Sequence, residues 1–290
     1  MSFEKRKLVL TFKLGQGDFG TTGQDTITLE GLRCSTTVTR AGVGYSAAEI
    51  QVWGMSLDLM NRLTVTRQFY VEQRIQNQVI ISAGTEGGGV GIVFAGTIWS
   101  AWVDARQQPD VCFVVTANSG AFDLATEVPP TSYKGSVDAA LVIGNLAAQM
   151  GYSFENNGVS ATLTDPYKPG SIKSQIESVC KDIDCEADID EVRKVVAIWP
   201  HRGSRTSKPV VKVSPETGLV GYPAFSQAGI MLTTRFNPDL AFGTRLQVEC
   251  ALPAANGIWP IIGLQHRLES NVPNGQWFSD VQCIYSEAQQ

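Results

Sequence analysis

At 290 residues the chain is long enough for two or three domains, at about 150 residues each. Charged residues make up only 18%, against roughly 25% in an average soluble domain, which suits a surface partly covered by partner subunits. A net charge of −5 and a pI near 5.2 exclude the broad basic patch of a nucleic-acid binder, and no apolar run reaches the roughly 18 to 20 residues of a membrane helix.

Met1–Lys7 is not followed by an apolar segment with a small-residue cleavage site, so secretion by a signal peptide is not expected. Cysteines at 34, 112, 180, 185, 250 and 283 are scattered, as buried small hydrophobes in a reducing compartment would be. The run Lys5-Arg6-Lys7 borders the first strand and reads as a charged guard on a sheet edge.

From Lys7 to about Asn118 the pattern is one strand after another. Leu8–Leu14 stops at a Gly15-Gln16-Gly17-Asp18 turn, and Asp25–Leu32 gives a short strand. Ala48–Gly54 alternates with the period of two that half-buried strands need. Ser56–Thr64 reads as a short amphipathic helix. Gln78–Gly84 and Val90–Ile98, parted by Gly87-Gly88-Gly89, form a hairpin, and Val111–Ala117 closes the block. Short strands with regular turns indicate a barrel or sandwich.

After the rigid Pro129-Pro130 break the grammar changes. Ser136 resembles an N-cap for a helix through Met150, with Gly151 at its C-terminal cap. A short strand follows near Ala161–Leu163. Gly170-Ser171 then opens a second helix whose Ile172, Ile176, Val179 and Ile183 make one apolar face. Glu186–Asp190 and Lys194–Pro200 read as a hairpin. The basic stretch His201–Pro209 carries little to bury and reads as a boundary linker. Strand patterns return from Val210 to Tyr285, with Asn237–Gly243 as a turn. The expected fold is mainly β with an α/β insert: two β-barrel-like domains, 1–118 and 210–290, flanking a small α/β module and linker at 119–209.

Candidate chemistry fails on context. Gly15-Gln16-Gly17-Asp18-Phe19-Gly20 has the G-x-G-x-x-G spacing, but another strand follows where a dinucleotide site needs a helix. No kinase lysine or catalytic loop accompanies it. Cys180 and Cys185 form no C-x-x-C pair, and the chain has only two histidines. His201 is expected to be solvated, and His266 to make a structural hydrogen bond on a strand. The acids Asp182, Asp184, Glu186, Asp188, Asp190 and Glu191 read as a wet face of the hairpin. Tryptophans 53, 99, 102, 199, 259 and 277 sit mostly in strand patterns, which suits core packing or subunit interfaces. No catalytic, cofactor-binding or metal-binding residue is assigned.

One set of segments carries a family likeness. Ser214–Pro223, Gly229-Ile230, Asn237–Leu240, Gly243–Leu246, Gly257–His266 and Gly275–Ser279 occur in that order. This series resembles the central hub (tail-tip) proteins of contractile-tailed bacteriophages. Gly170–Pro200 looks like that family's inserted module, and Ala48–Leu63 is similar to its first barrel. The resemblance implies a homotrimer with two barrels per subunit, a symmetry adapter that joins the tail tube protein to a central spike protein. It also implies contacts with other baseplate or tape-measure components, a lumen that genome DNA crosses without specific binding, and no membrane insertion. The implied location is the tail tip or baseplate of the virion, after assembly in the host cytoplasm. No appended lysozyme-like domain is expected. The alternatives are a tail-tip cell-wall hydrolase and a distal tail or tube ring protein.

Overall fold

The computed structural model describes residues 5–20, 23–41, 46–65, 77–106, 108–119 and 128–286. The first block holds β1 (Arg6–Lys13), β2 (Thr26–Glu30), β3 (Arg33–Ala41), β4 (Ser46–Trp53), α1 (Leu57–Leu63), β5 (Gln78–Thr85), β6 (Val90–Asp104) and β7 (Cys112–Asn118). Alternation sets their faces: Leu8, Leu10 and Phe12 of β1 point inward, as do Ile50 and Val52 of β4 and Phe113 and Val115 of β7. Helix α1 begins where Ser56 accepts the Leu59 N–H at 3.3 Å.

The middle segment contains β8 (Thr131–Ser132), β9 (Ser136–Asp138), α2 (Ala139–Gln149), β10 (Ser153–Asn156), β11 (Thr162–Thr164), β12 (Tyr167–Lys168), α3 (Ile172–Asp182), β13 (Cys185–Asp190) and β14 (Val195–Pro200). Ser136 does not cap α2, because it pairs with Thr164 in a short ladder. Asp138 takes that role, its carboxylate accepting the Ala140 N–H at 2.9 Å. Gly151 follows the helix with φ +72°, the left-handed conformation that ends it. Ser171 caps α3, whose Ile176 and Val179 are fully buried against α2 and the β10-β14-β13 sheet.

The last block has β15 (Val211–Val213), β16 (Leu219–Phe225), β17 (Gly229–Arg235), β18 (Arg245–Val248), β19 (Gly257–Ser270) and β20 (Trp277–Ile284). The chain is mainly β with a small helical insert. Its two β blocks are joined in one 13-stranded sheet of order β16-β17-β20-β19-β3-β4-β7-β6-β5-β1-β2, with β15 and β18 attached through β19. The connection is the antiparallel pairing of Gly263–Ser270 in β19 with Cys34–Ala41 in β3. Three hydrophobic clusters fill the first block, the insert and the last block, and Leu268 and Trp277 of the last block lie in the first cluster. Among the described residues no helix is long and apolar enough to cross a membrane.

The Lys5–Lys7 run borders the part of β1 that pairs with β5 alone, since the β2 ladder covers only Val9–Lys13, and Lys5 and Lys7 form surface ion pairs with Glu86 and Glu30. Two other expectations are corrected. The stretch 201–209 is not a wholly exposed linker: the Arg205 side chain is 1% exposed. Nor are all the hairpin acids wet, because Asp188 and Asp190 are buried.

These two corrections share one cause, a buried charge network. The Arg205 guanidinium donates to Glu155 of β10 at 2.8 and 3.2 Å, and to Asp188 of β13 at 3.2 Å. Asp188 also accepts from Arg40 of β3 at 2.6 Å. Two acids and two bases thereby bind the insert to the first block, each neutralising a charge that alone could not be buried. On the other side, Trp199 of β14 packs on Phe242 with ring centroids 5.5 Å apart. Gly243 (φ +75°) permits this contact, since a Cβ there would fall 2.5 Å from the indole.

Arg205→Ala leaves Asp188 buried with one partner fewer, and is expected to destabilise the chain by about 3–5 kcal/mol, measured by urea unfolding. A pH dependence also follows. Burial, with a smaller push from Arg40, lowers His266 from 6.5 to about 4. The fold therefore holds it neutral while the unfolded chain binds a proton, so this stability is complete above 6.5 and declines as pH falls toward 4. Burial would raise Glu155, but hydrogen bonds from Arg205, Ser207 and Asn157 outweigh it and bring Glu155 from 4.5 to about 2. Its contribution is present above 4.5 and is lost as pH falls toward 2. His266→Gln should flatten the stability profile between pH 6.5 and 4, removing a drop of at most roughly 3 kcal/mol.

Candidate functional site

The glycine-rich segment Gly15–Gly20 lies in the β1–β2 connection and leads to a strand, so no helix N-terminus is there to receive a phosphate. Gly17 and Gly20 have φ near +83° and +84°, and Asp18 accepts the Gly20 N–H at 2.8 Å. This is turn chemistry.

His201 is exposed, with Nδ1 3.2 Å from Glu186. His266 is buried, with Nδ1 2.8 Å from the Ser279 hydroxyl and the Phe236 ring edge-on at 5.2 Å. Ser279 is itself fully buried, so this pair has no path to a substrate and orients β19 against β20. Cys180 and Cys185 are brought together by α3 and β13. Their thiol–thiol hydrogen bond, helped by burial, raises Cys180, and the same bond lowers Cys185. Burial pushes Cys34 and Cys283 up to about 12, far from a reactive thiolate. All six cysteines are free, and no metal-holding group of three or more ligand side chains occurs among the described residues. Asp190 is committed to Arg193 at 3.1 Å.

The extended feature of the surface is one face of the large sheet. Because the ladders are in register, outward side chains line up in rows across strands. One row runs Val220, Thr233, Asp280, Gln265, Thr39, Ala47, Asn118, Thr97. A second runs Arg235, Phe278, Arg267, Thr37, Glu49, Thr116, Ser100. A third runs Glu269, Ser35, Gln51, Val114, Trp102.

Ten of these twenty side chains are hydroxyls or amides, five are charged and five apolar, and the charges are interleaved. Arg267 bonds Asp280 at 2.6 Å, Thr233 donates to Asp280 at 2.7 Å, Gln265 to Thr39 at 3.2 Å, and Ser35 to Glu269 at 3.1 Å. Arg33, Arg235 and Arg267 are balanced by Glu49, Glu269 and Asp280. Between Tyr222 and the side-chain gap at Gly263 the face dips into an open groove of about 490 Å³.

The sequence reading missed this face because it passed over β3. The inward residues of β3 are Cys34, Thr36 and Val38, an alternation that an apolar count does not register. Arg40 carries no local signal, being 148 positions from Asp188, and Arg205 reads as part of a solvated basic linker although it follows a hairpin rich in acids. Of the tryptophans, Trp199, Trp259 and Trp277 are buried, Arg33 lies over Trp53 at 4.4 Å, and Trp99 and Trp102 are exposed.

The family described as Baseplate hub gp41 matches residues 8–278. Among solved structures, the tail protein from Neisseria meningitidis MC58 is similar over 97% of both chains, with a TM-score of 0.62 and 8% identity. The 43 kDa tail protein of prophage MuSo2 from Shewanella oneidensis is also similar over 97% of both chains, with a TM-score of 0.60 and 10% identity. The E. coli c3393 protein is a type VI secretion component with structural similarity to the T4 bacteriophage tail proteins gp27 and gp5. It matches at a TM-score of 0.59 and 9% identity, over 89% of this chain and 75% of its own. At such low identities these superpositions show a shared fold and nothing more. No curated protein sequence matches the chain. A family match spanning nearly the whole length, on a fold shared with tail proteins, decides the identity: the chain belongs to the Baseplate hub gp41 family and is a structural protein of the phage baseplate at the tail tip.

Proposed function

We propose that the chain is a homotrimeric hub joining the tail tube to a central spike, with the outer face of its large sheet lining the channel that genome DNA crosses. The carrying observation is the continuous polar face from β16 to β6, which spans both β blocks. A wall of hydroxyls, amides and balanced charges gives passing DNA neither a basic surface to bind nor an unbroken acidic one to repel it. Three subunits with two β blocks each would present six similar walls, which suits a sixfold tube on one side and a threefold spike on the other.

The three hydrophobic clusters support domains at 1–118, 119–209 and 210–290, with the insert as an outer module. Assembly would take place in the host cytoplasm, beside other baseplate or tape-measure components. The reading is non-enzymatic: among the described residues, the groups that could do chemistry are occupied in packing and ion pairs.

Native mass spectrometry of assembled tails should count three copies, whereas six copies would favour a tube or distal tail ring. The purified chain should not clear a cell-wall suspension in a turbidity assay, and lysis abolished by one carboxylate substitution would overturn the structural reading. Thr39→Lys with Gln265→Lys places two neighbouring cations on the proposed wall. Triggered genome ejection from such tails, followed with a DNA-binding dye, should slow by roughly tenfold at low salt and recover at high salt.

A further inference from the structure

Most side chains of the outward rows are polar or charged, and large exposed apolar ones stand at both margins of these rows, on β16–β17 and on β6. At one end the sheet stops at β16 with Val220 and Tyr222, backed by Met231 of β17. Tyr222 is 69% exposed. At the other end, where β6 carries a bulge between Ile98 and Ser100, Trp99 and Trp102 are 44% and 39% exposed. The first row continues from Thr97 onto β5, but β5 pairs with β6 no further than Thr97, so the second and third rows stop at Ser100 and Trp102 beside the bulge, which bends the strand. Large aromatics at both ends of one polar wall are not needed by the wall itself, and exposed aromatic clusters mark contact surfaces.

We infer that copies of this chain join side by side, with the β16 end of one subunit packing its Tyr222, Val220 and Met231 on Trp99 and Trp102 of the next. The inference rests on the ring reading above and assigns its subunit contact. A contact between two different ends is heterologous, the type that closes a ring.

Charge supports a second copy as the occupant. Arg235 stands at the β16 end of the row that finishes at Ser100, next to Trp99. Among the described residues its side chain makes no ion pair, and an exposed guanidinium is a natural partner for an exposed indole. Glu49, two positions from Ser100 in that row, supplies a nearby anion. The joint would be made by side chains. Pro223 leaves β16 one backbone donor short, and a register shift between Val220 and Ala224 breaks its regularity. Both oppose strand addition by another chain.

The test places p-benzoylphenylalanine at Tyr222 in assembled tails, followed by irradiation and digestion. The expected product has twice the chain mass, and joins residue 222 to the tryptic peptide 75–106 that contains Trp99 and Trp102. Trp102→Asp should lower its yield at least tenfold, and the same probe at the exposed Leu141 of α2 should not give it. No product, a product with a different protein, or one with another part of this chain would overturn the contact. The ladder of cross-linked species tests the count separately. Ending at three supports the trimer, whereas the same peptide pair in a ladder of another length keeps the contact and rejects the threefold reading.

Discussion

A single strand must satisfy two β blocks at once. The first residues of β19, Gly257–Pro260, pair with β18 in the last block. After the register shift between Ile261 and Gly263, the rest pairs with β20 on one side and β3 on the other. Its inward residues divide the same way: Trp259, Ile261 and Leu264 belong to the last block's core, and Leu268 to the first. Two hydrophobic cores thus hang on fourteen residues of backbone. The blocks cannot be turned relative to each other without breaking the β3 ladder, whose hydrogen bonds have no other partners. That rigidity keeps the outward rows aligned from one block to the next.

Beside this spine, the insert is attached by chemistry of another kind. Arg40 projects from the inward side of β3, next to His266 of β19, and meets Asp188 of the insert. Arg205 completes the network from the returning chain, which also places its backbone N–H on the Gly243 carbonyl at 2.7 Å. Buried ion pairs of this sort add little over a well-packed apolar contact, but they tolerate few alternatives. A charge with one partner position fixes where the insert sits more sharply than a greasy patch would. Trp199 on Phe242 adds the apolar half of the attachment.

The two histidines show how environment separates like residues. His201, beside Glu186 at the surface, keeps to the role of a solvated side chain. His266, enclosed by Ser279, Phe236 and Arg40, is held neutral and becomes part of the packing. Neither position offers a base poised over a nucleophile open to solvent. The buried thiols tell the same story, and so does the glycine-rich turn. For a structural protein of the baseplate, whose task is to hold a shape, this is the expected distribution of polar groups: inside, committed to partners; outside, interleaved with their counter-charges.

Much of this was legible in the residues alone. Period-two alternation in Ala48–Gly54 marked a strand, the patterns of Leu8–Leu14 and of Val210–Tyr285 marked others, and the spacing of Ile172, Ile176 and Val179 marked α3, because burial of one face is a local pattern. The glycine and asparagine–proline signals of the last block carried the family likeness. What the sequence could not determine was which strand would lie beside which. β3 escaped notice since its inward face mixes Cys34, Thr36 and Val38, and Asp188 and Arg205 looked like solvated charges. Pairing partners and buried ion pairs are non-local: they depend on residues over a hundred positions apart, as Arg40 and Asp188 are. Local pattern therefore determined most of the elements and their faces, and the likeness carried by the last block gave the class of protein. Only the tertiary structure decided that the two β blocks share a sheet, and that its outer side is one polar wall with aromatic ends.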